Sequence, residues 1–193
     1  MSTQQKSDVL LRTIHGSHLY GLAHKGSDED WYVVTLGGKS KQGIVDGVDT
    51  NRVTLEQFQK SIAKGVPQAV EALYSPHAEF DSQWGEYFYS LRPGWELVQT
   101  YRRTINNFGL HWGGRHGSAL ERAKTTDKVK LRRHALRLCV NLGEFVSCGR
   151  IWPVLSEYHK ELITKESQLV DEAYEEVLSS RIGEALLGKR YGT

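Results

Sequence analysis

"HGSHLYGLAHKGSDEDWYVV", His15 to Val34, holds a Gly-Ser pair, a second glycine turn and an Asp-x-Asp pair within twenty residues. "VLLRTIHGS" upstream reads as a buried strand ending in a turn, and "DWYVVTL", Asp30 to Leu36, as a second strand. In an extended strand, side chains at i and i+2 share a face, so Asp28 and Asp30 are expected to converge while Glu29 turns away. Two neighbouring carboxylates repel each other unless something positive holds them. Two hard oxygen ligands on one face match magnesium (or manganese), often held by one or two carboxylates plus substrate phosphates. Gly16-Ser17, ending a strand and opening a helix at His18, offers backbone N–H groups and a hydroxyl to phosphate oxygens. Glycine permits a close approach that a side chain would block.

Working outward, Gly37-Gly38 closes the second strand, and a polar stretch, Lys39 to Gly47, leads to "VDTNRVTL", a third strand opening at Val48. Asp49 at its start is the best placed third carboxylate; Asp46, in a Gly-flanked loop, is its rival. Thr54 with Gln57 forms a capping box, and Leu55, Phe58 and Ile62 follow at helical spacing. Gly65 and Pro67 end that helix, and "PQAVEALYSP" is one more, with Pro67 in its first turn and Pro76 beyond its end. From about Trp95 the strand signal fades. Leu97, Tyr101, Ile105 and Phe108 make one helical face, and a basic glycine-rich loop, Gly113 to Ser118, follows. Asp127 is placed to cap a long helix carrying Leu131, Leu138, Leu142 and Phe145, and further helices fall around Val154–Ile163 and Glu166–Leu187. The expected fold class is α+β: a small N-terminal mixed sheet with flanking helices over 1–92, then a helical part over 93–193.

The bulk numbers narrow the class. With 39% hydrophobic and 25% charged residues, the 193-residue chain has the composition of a globular protein large enough to bury a core unaided. A net charge of +2 points to no polyanion partner from the total, although basic residues cluster between Arg115 and Arg137. Two cysteines, Cys139 and Cys148, make no disulfide framework and are expected as free buried thiols in a reducing compartment. The polar start, Met1 to Asp8, predicts no signal peptide, and no apolar run approaches a membrane span of about 20 residues. A cytoplasmic location is the expectation.

"GSHLYGLAHKGSDEDW" resembles the G-S-x-x-Y-G…S-D-x-D signature of the DNA polymerase beta-like nucleotidyltransferase superfamily. Within it, the chain is similar to the bacterial and phage family named "predicted nucleotidyltransferase, RNA repair pathway". "DTNRVTLEQFQKSIAKGVPQAVEALYSP" resembles that family's D-x-x-x-x-x-L-x-x-F…K-G-N-P…E-x-L-x-S-P segment, with Val66 where asparagine is usual. "KLRRHALRL…GEFVSCGRIWPV" resembles its helical part, so the likeness runs from about Leu11 to Val154. The resemblance implies metal-dependent transfer of a nucleoside monophosphate from an NTP to an acceptor hydroxyl, with pyrophosphate leaving. Gly16 and Ser17 match the triphosphate-binding turn, Asp28 and Asp30 the metal-binding aspartates, and Asp49 the third, which orients and helps deprotonate the hydroxyl. The family label implies an RNA or tRNA acceptor. Transfer to a protein or small molecule would use the same constellation, and a non-catalytic nucleotide-binding or antitoxin-like module is the reading from another class.

Other features carry less. His15, His18 and His24 are too loosely spaced, and lack the fourth ligand, for a closed tetrahedral zinc site. Lys130, Arg133, His134 and Arg137 fall on one side of the long helix. That side is either solvated or a partner for the triphosphate, with Lys130, His134 and Arg137 as the nucleotide-binding candidates. Arg115 and His116 are a phosphate contact or a surface loop. Trp31, Trp84, Trp95, Trp112 and Trp152 are expected in core or subdomain packing, with stacking of one of them on a base as the alternative, and Tyr20-Gly21 as a packed helix end. Oligomeric state, NTP and acceptor are not legible.

Overall fold

The computed structural model describes residues 8–45, 47–109 and 128–189. The chain divides into two compact units, Met1–Gly94 and Trp95–Thr193. The architecture is α+β, with a mixed five-stranded sheet in the first unit and helices in the second.

Strand β1 (Val9–His15) buries Leu11, Thr13 and His15 on one face and exposes Arg12 on the other. Helix α1 (Gly16–Tyr20) follows at once, and β2 (Asp30–Thr35) returns antiparallel to β1. The chain then passes to the sheet edge as β3 (Lys41–Val45) and hairpins back as β4 (Val48–Thr54), which inserts between β3 and β2 and runs parallel to β2. A short β5 (Glu79–Phe80) pairs with the far side of β1, giving the order β3-β4-β2-β1-β5. Strand β3 lies within the stretch the sequence reads as polar. Its residues are mostly exposed, so edge pairing makes it a strand where burial does not.

Three helices complete this unit: α2 (Leu55–Ala63), α3 (Pro67–Tyr74) and α4 (Gly85–Ser90). The hydroxyl of Thr54 accepts from the Gln57 N–H at 3.2 Å, as the capping signature predicts, and Phe58 and Ile62 are buried. A run of aromatic contacts links sheet and helices, Tyr32 to Phe58 (6.1 Å), Phe58 to Phe88 (5.7 Å) and Phe88 to Phe80 (5.4 Å between ring centres). Helix α4 and strand β5, which no periodicity announced, are held by Phe88 and Phe80 in that run.

The second unit holds α5 (Glu96–Gly109), α6 (Lys128–Cys148), α7 (Glu157–Glu166) and α8 (Asp171–Leu186). Leu97, Tyr101 and Ile105 form the buried stripe of α5, as their spacing predicts. Helix α6 is buried on every side from Ala135 to Gly143 and is the centre of this unit. Arg132 on α6 lies over the Tyr174 ring at 4.0 Å and donates to Leu169 O (2.7 Å) and Asp171 Oδ1 (2.8 Å). Glu166 and Arg181 form a second, largely buried ion pair at 2.5 Å. The cysteines are free, but only Cys139 is buried; Cys148, at the end of α6, is exposed, against the sequence expectation. The tryptophans pack in part: Trp84 meets Tyr87 edge-on (5.5 Å between ring centres) and Trp95 meets Phe145 (6.3 Å), while Trp95 and Trp152 stay 68% and 54% exposed. Trp112 and Asp127 lie outside the described residues.

Past α6, the Trp152 N–H donates to Glu144 Oε2 at 2.8 Å. Burial pushes the Glu144 carboxyl up to about 7, against the smaller pull of that hydrogen bond. The folded chain therefore holds this proton more tightly than the unfolded one. The stabilisation is full below the ordinary value of 4.5 and is lost as pH rises through about 7. Glu144→Gln keeps an acceptor and removes the titration. The stability difference between wild type and this variant, from urea melts, is expected to shift against wild type between those two pH values.

Candidate active site

The paired registers lay one row of side chains across the sheet. His15 pairs with Asp30, Asp30 with Asp49, and Asp49 with Ile44. Register partners on adjacent strands, about 4.8 Å apart, point to the same face. Asp30 and Asp49 thus stand side by side, the first half-buried and the second exposed. Their strands begin at that end of the sheet, where β1 ends.

Asp28 is placed differently. It precedes β2 and is exposed, so the strand alternation expected to align it with Asp30 does not extend to it. The loop that carries it is organised locally: Ser27 Oγ accepts from the His24 N–H (2.9 Å), and Ser27 N–H donates to His24 O (2.9 Å). His18 Nε2 lies 3.3 Å from Ser27 O, linking α1 to the same loop. Sequence reasoning gave neither His18 nor Ser27 this role.

Gly16 starts α1 with φ +64°, in the left-handed region. A β-carbon there would fall on the Asp30 carboxylate, so the turn and the aspartate are in direct approach. Ser17 follows, half-exposed. Gly21, with φ +70°, caps α1, and the Leu22 N–H returns to Ser17 O at 2.9 Å. The side chain of His15 does not cap α1. It turns instead toward Glu71 on α3, with Nε2 3.4 Å from Oε2.

Glu71 is completely buried and accepts from the Tyr20 hydroxyl at 2.7 Å. Deeper in the same unit, Thr13 Oγ1 donates to Ser75 Oγ at 2.7 Å. Burial also holds the Tyr32 phenol, 5.9 Å from the His15 ring, well above its usual pKa and therefore neutral. A buried carboxylate is costly unless it is hydrogen-bonded, so the Tyr20 hydroxyl stabilises Glu71, and Glu71 on α3 lies against both ends of α1, bonded to Tyr20 and 3.4 Å from His15 Nε2. The signal for Glu71 was present in sequence as the one acid within "AVEAL", an otherwise apolar helical stretch.

The donor set fits magnesium. Asp30 and Asp49 supply two adjacent carboxylates, and such an ion commonly takes its remaining ligands from phosphate and water. Among the described residues, no group of three or more His, Cys, Asp or Glu side chains is arranged to hold a metal by itself.

The basic candidates lie in the second unit. Lys130 is exposed, His134 is half-buried with its ring 5.9 Å from Phe108, and Arg137 is buried. They do not form one solvated face, because α6 is the unit's core helix. Asp46, Arg115 and His116 lie outside the described residues.

No family model matches the chain, the RNA repair family included. No curated protein matches it. Among solved structures, it is similar to a nucleotidyltransferase-like protein from Exiguobacterium sibiricum 255-15. The identity is 14%, the match covers 95% of this chain and 68% of that one, and the TM-score is 0.31. No helix among the described residues is long and apolar enough to cross a membrane.

The Gly16–Asp30 approach gives a direct test. Gly16→Ala adds left-handed strain of about 1–2 kcal/mol and a collision with the carboxylate. In an Asp30→Ala background the collision is gone and only the strain remains. Urea melts of the four proteins in this cycle are expected to show a smaller cost for Gly16→Ala when Asp30 is absent.

Proposed function

We propose that this chain is a metal-dependent nucleotidyltransferase that moves a nucleoside monophosphate from an NTP to an acceptor hydroxyl. The observation that carries the reading is the parallel pairing of Asp30 with Asp49 beside a left-handed glycine turn at which a β-carbon would meet the Asp30 carboxylate. The order Gly-Ser, Asp-x-Asp, Asp along the chain supports it independently.

In this reading Gly16 and Ser17 bind phosphate oxygens through backbone N–H groups and the hydroxyl. Asp30 and Asp49, with Asp28 from the loop, hold magnesium or manganese. An ion held there would supply positive charge to offset the triphosphate and a Lewis acid for the reacting oxygens. Asp49, the more exposed of the strand pair, accepts the proton of the acceptor hydroxyl. The acceptor oxygen forms its bond to the α-phosphorus, the bond from that phosphorus to the bridging oxygen breaks, and pyrophosphate departs. Glu71, through His15 and Tyr20, holds the turn in place and touches no reacting atom. An RNA end or tRNA is the proposed acceptor, on the strength of the sequence resemblance.

The test supplies α-labelled NTPs and Mg²⁺ or Mn²⁺ with separate RNA, DNA and protein pools. Label is expected on RNA, and label on protein alone would move the acceptor to that class. Asp30→Asn should abolish transfer while leaving the thermal midpoint unchanged or slightly raised, since carboxylate repulsion is relieved. If wild type and variant were equally inactive with every NTP and pool yet still bound nucleotide, the chain would be a binding module.

A further inference from the structure

The alternation that sends Asp30 and Asp49 to one face of the sheet sends Trp31 and Thr50 to the other. That second face carries a cationic row. Arg12 pairs with Val33, Val33 with Arg52, and Arg52 with Lys41, so three cations cross four strands in one line. All three are exposed, and none makes an ion pair with a described residue. The next row places Trp31 beside Thr50. The Arg12 guanidinium lies over the Trp31 ring, 3.7 Å from its centre. Between the rows is a groove of about 210 Å³ with Val33 and Val48 in its lining, edged by Arg12 and Arg52. Arg52 also borders a second hollow of about 330 Å³ that includes Lys39 and the Gly37-Gly38 turn. The acidic groups nearby are Glu29, whose Oε1 accepts from the Trp31 indole N–H at 2.6 Å and orients the ring from its edge, Asp8, in that second hollow, and Glu79, the register partner of Arg12 on β5.

We infer that this face binds a single-stranded nucleic acid. Planar stacking and spaced positive charge occur together here, and that pair of features is what an unpaired strand offers to match. Its bases stack on aromatic rings or guanidinium planes, and its phosphates take up spaced cations. Trp31 and Arg12 are already in contact, with the guanidinium carbon 3.7 Å from the ring centre, the distance of a cation–π pair. Arg52 and Lys41 lie farther along the same row, where phosphates of the strand would pass. An acidic peptide would use the cations and leave the stack idle. A duplex hides its base faces and would gain only the charge. The face lies on the opposite side of the sheet from Asp30 and Asp49, so the inference stands whether or not the chain transfers nucleotides.

The experiment titrates full-length protein into fluorescein-labelled oligouridylate and oligothymidylate of about twelve nucleotides, without NTP, reading anisotropy over a range of salt. Both single strands are expected to bind, one arm telling RNA preference from DNA, and a duplex of the same length to bind at least several-fold more weakly. Lys41→Ala with Arg52→Ala should weaken binding about tenfold and flatten the log–log salt slope by roughly 0.7 per cation removed. Arg12→Lys keeps the charge and loses the plane, so it should weaken binding several-fold with the slope unchanged. Thermal melts confirm that each variant is folded. Absence of binding, equal binding of duplex or of oligoglutamate, or folded variants within twofold of wild type would overturn the inference. So would self-association that Lys41→Glu with Arg52→Glu dissolves, because the face would then be an interface between copies.

Discussion

The parallel pairing of β2 with β4 is the constraint on which the candidate site depends. Parallel neighbours begin at the same end of a sheet, so residues that open two such strands are brought together, here Asp30 and Asp49. A parallel pair cannot be joined by a tight turn. The chain meets that requirement by running out to the edge as β3 and hairpinning back. Side chains alternate with period two, so a slip of one residue would put Thr50 beside Asp30 and turn Asp49 to the opposite face. The same register therefore sets both faces: carboxylates on one, the Arg12–Trp31 stack and its row of cations on the other.

What holds the site's other half is a buried polar post. Glu71 lies without solvent contact beneath α1, met by the Tyr20 hydroxyl and facing His15. Carboxylate burial is expensive, and a helix of five residues has little stability of its own. The two facts belong together. The post fixes both ends of α1 against α3, so Gly16 can press on Asp30 without the turn giving way. The aromatic run from Tyr32 through Phe58 to Phe88 supplies apolar packing between the sheet and the helices of the same unit.

The helical unit shows how far periodicity reaches. The spacing of Leu97, Tyr101 and Ile105 announced both α5 and its buried stripe. In α6 the spacing announced a helix and misjudged its surroundings. Arg132 and Arg137 are both buried there; Arg132 is covered or satisfied by Tyr174, Leu169 and Asp171 from α8 and the turn before it. A buried arginine and a solvated one have the same sequence signature; the partner that distinguishes them lies about forty residues away.

By itself the sequence determined the strand–turn–helix opening, the capped α2, the proline-led α3, the amphipathic α5 and the order of the glycine, serine and aspartates. These are local properties, carried by backbone preferences and side-chain spacing over a few residues. It also pointed to Asp49 over Asp46 from a position at a strand start. Tertiary structure decided the rest. It made a strand of the polar Lys41–Val45 segment, left Asp28 ahead of β2 and gave Glu71 its two partners. It also exposed Cys148 and Trp95. Each of these depends on which distant segment lies alongside, and strand pairing and burial are set by the whole chain closing on itself rather than by any residue's own propensity.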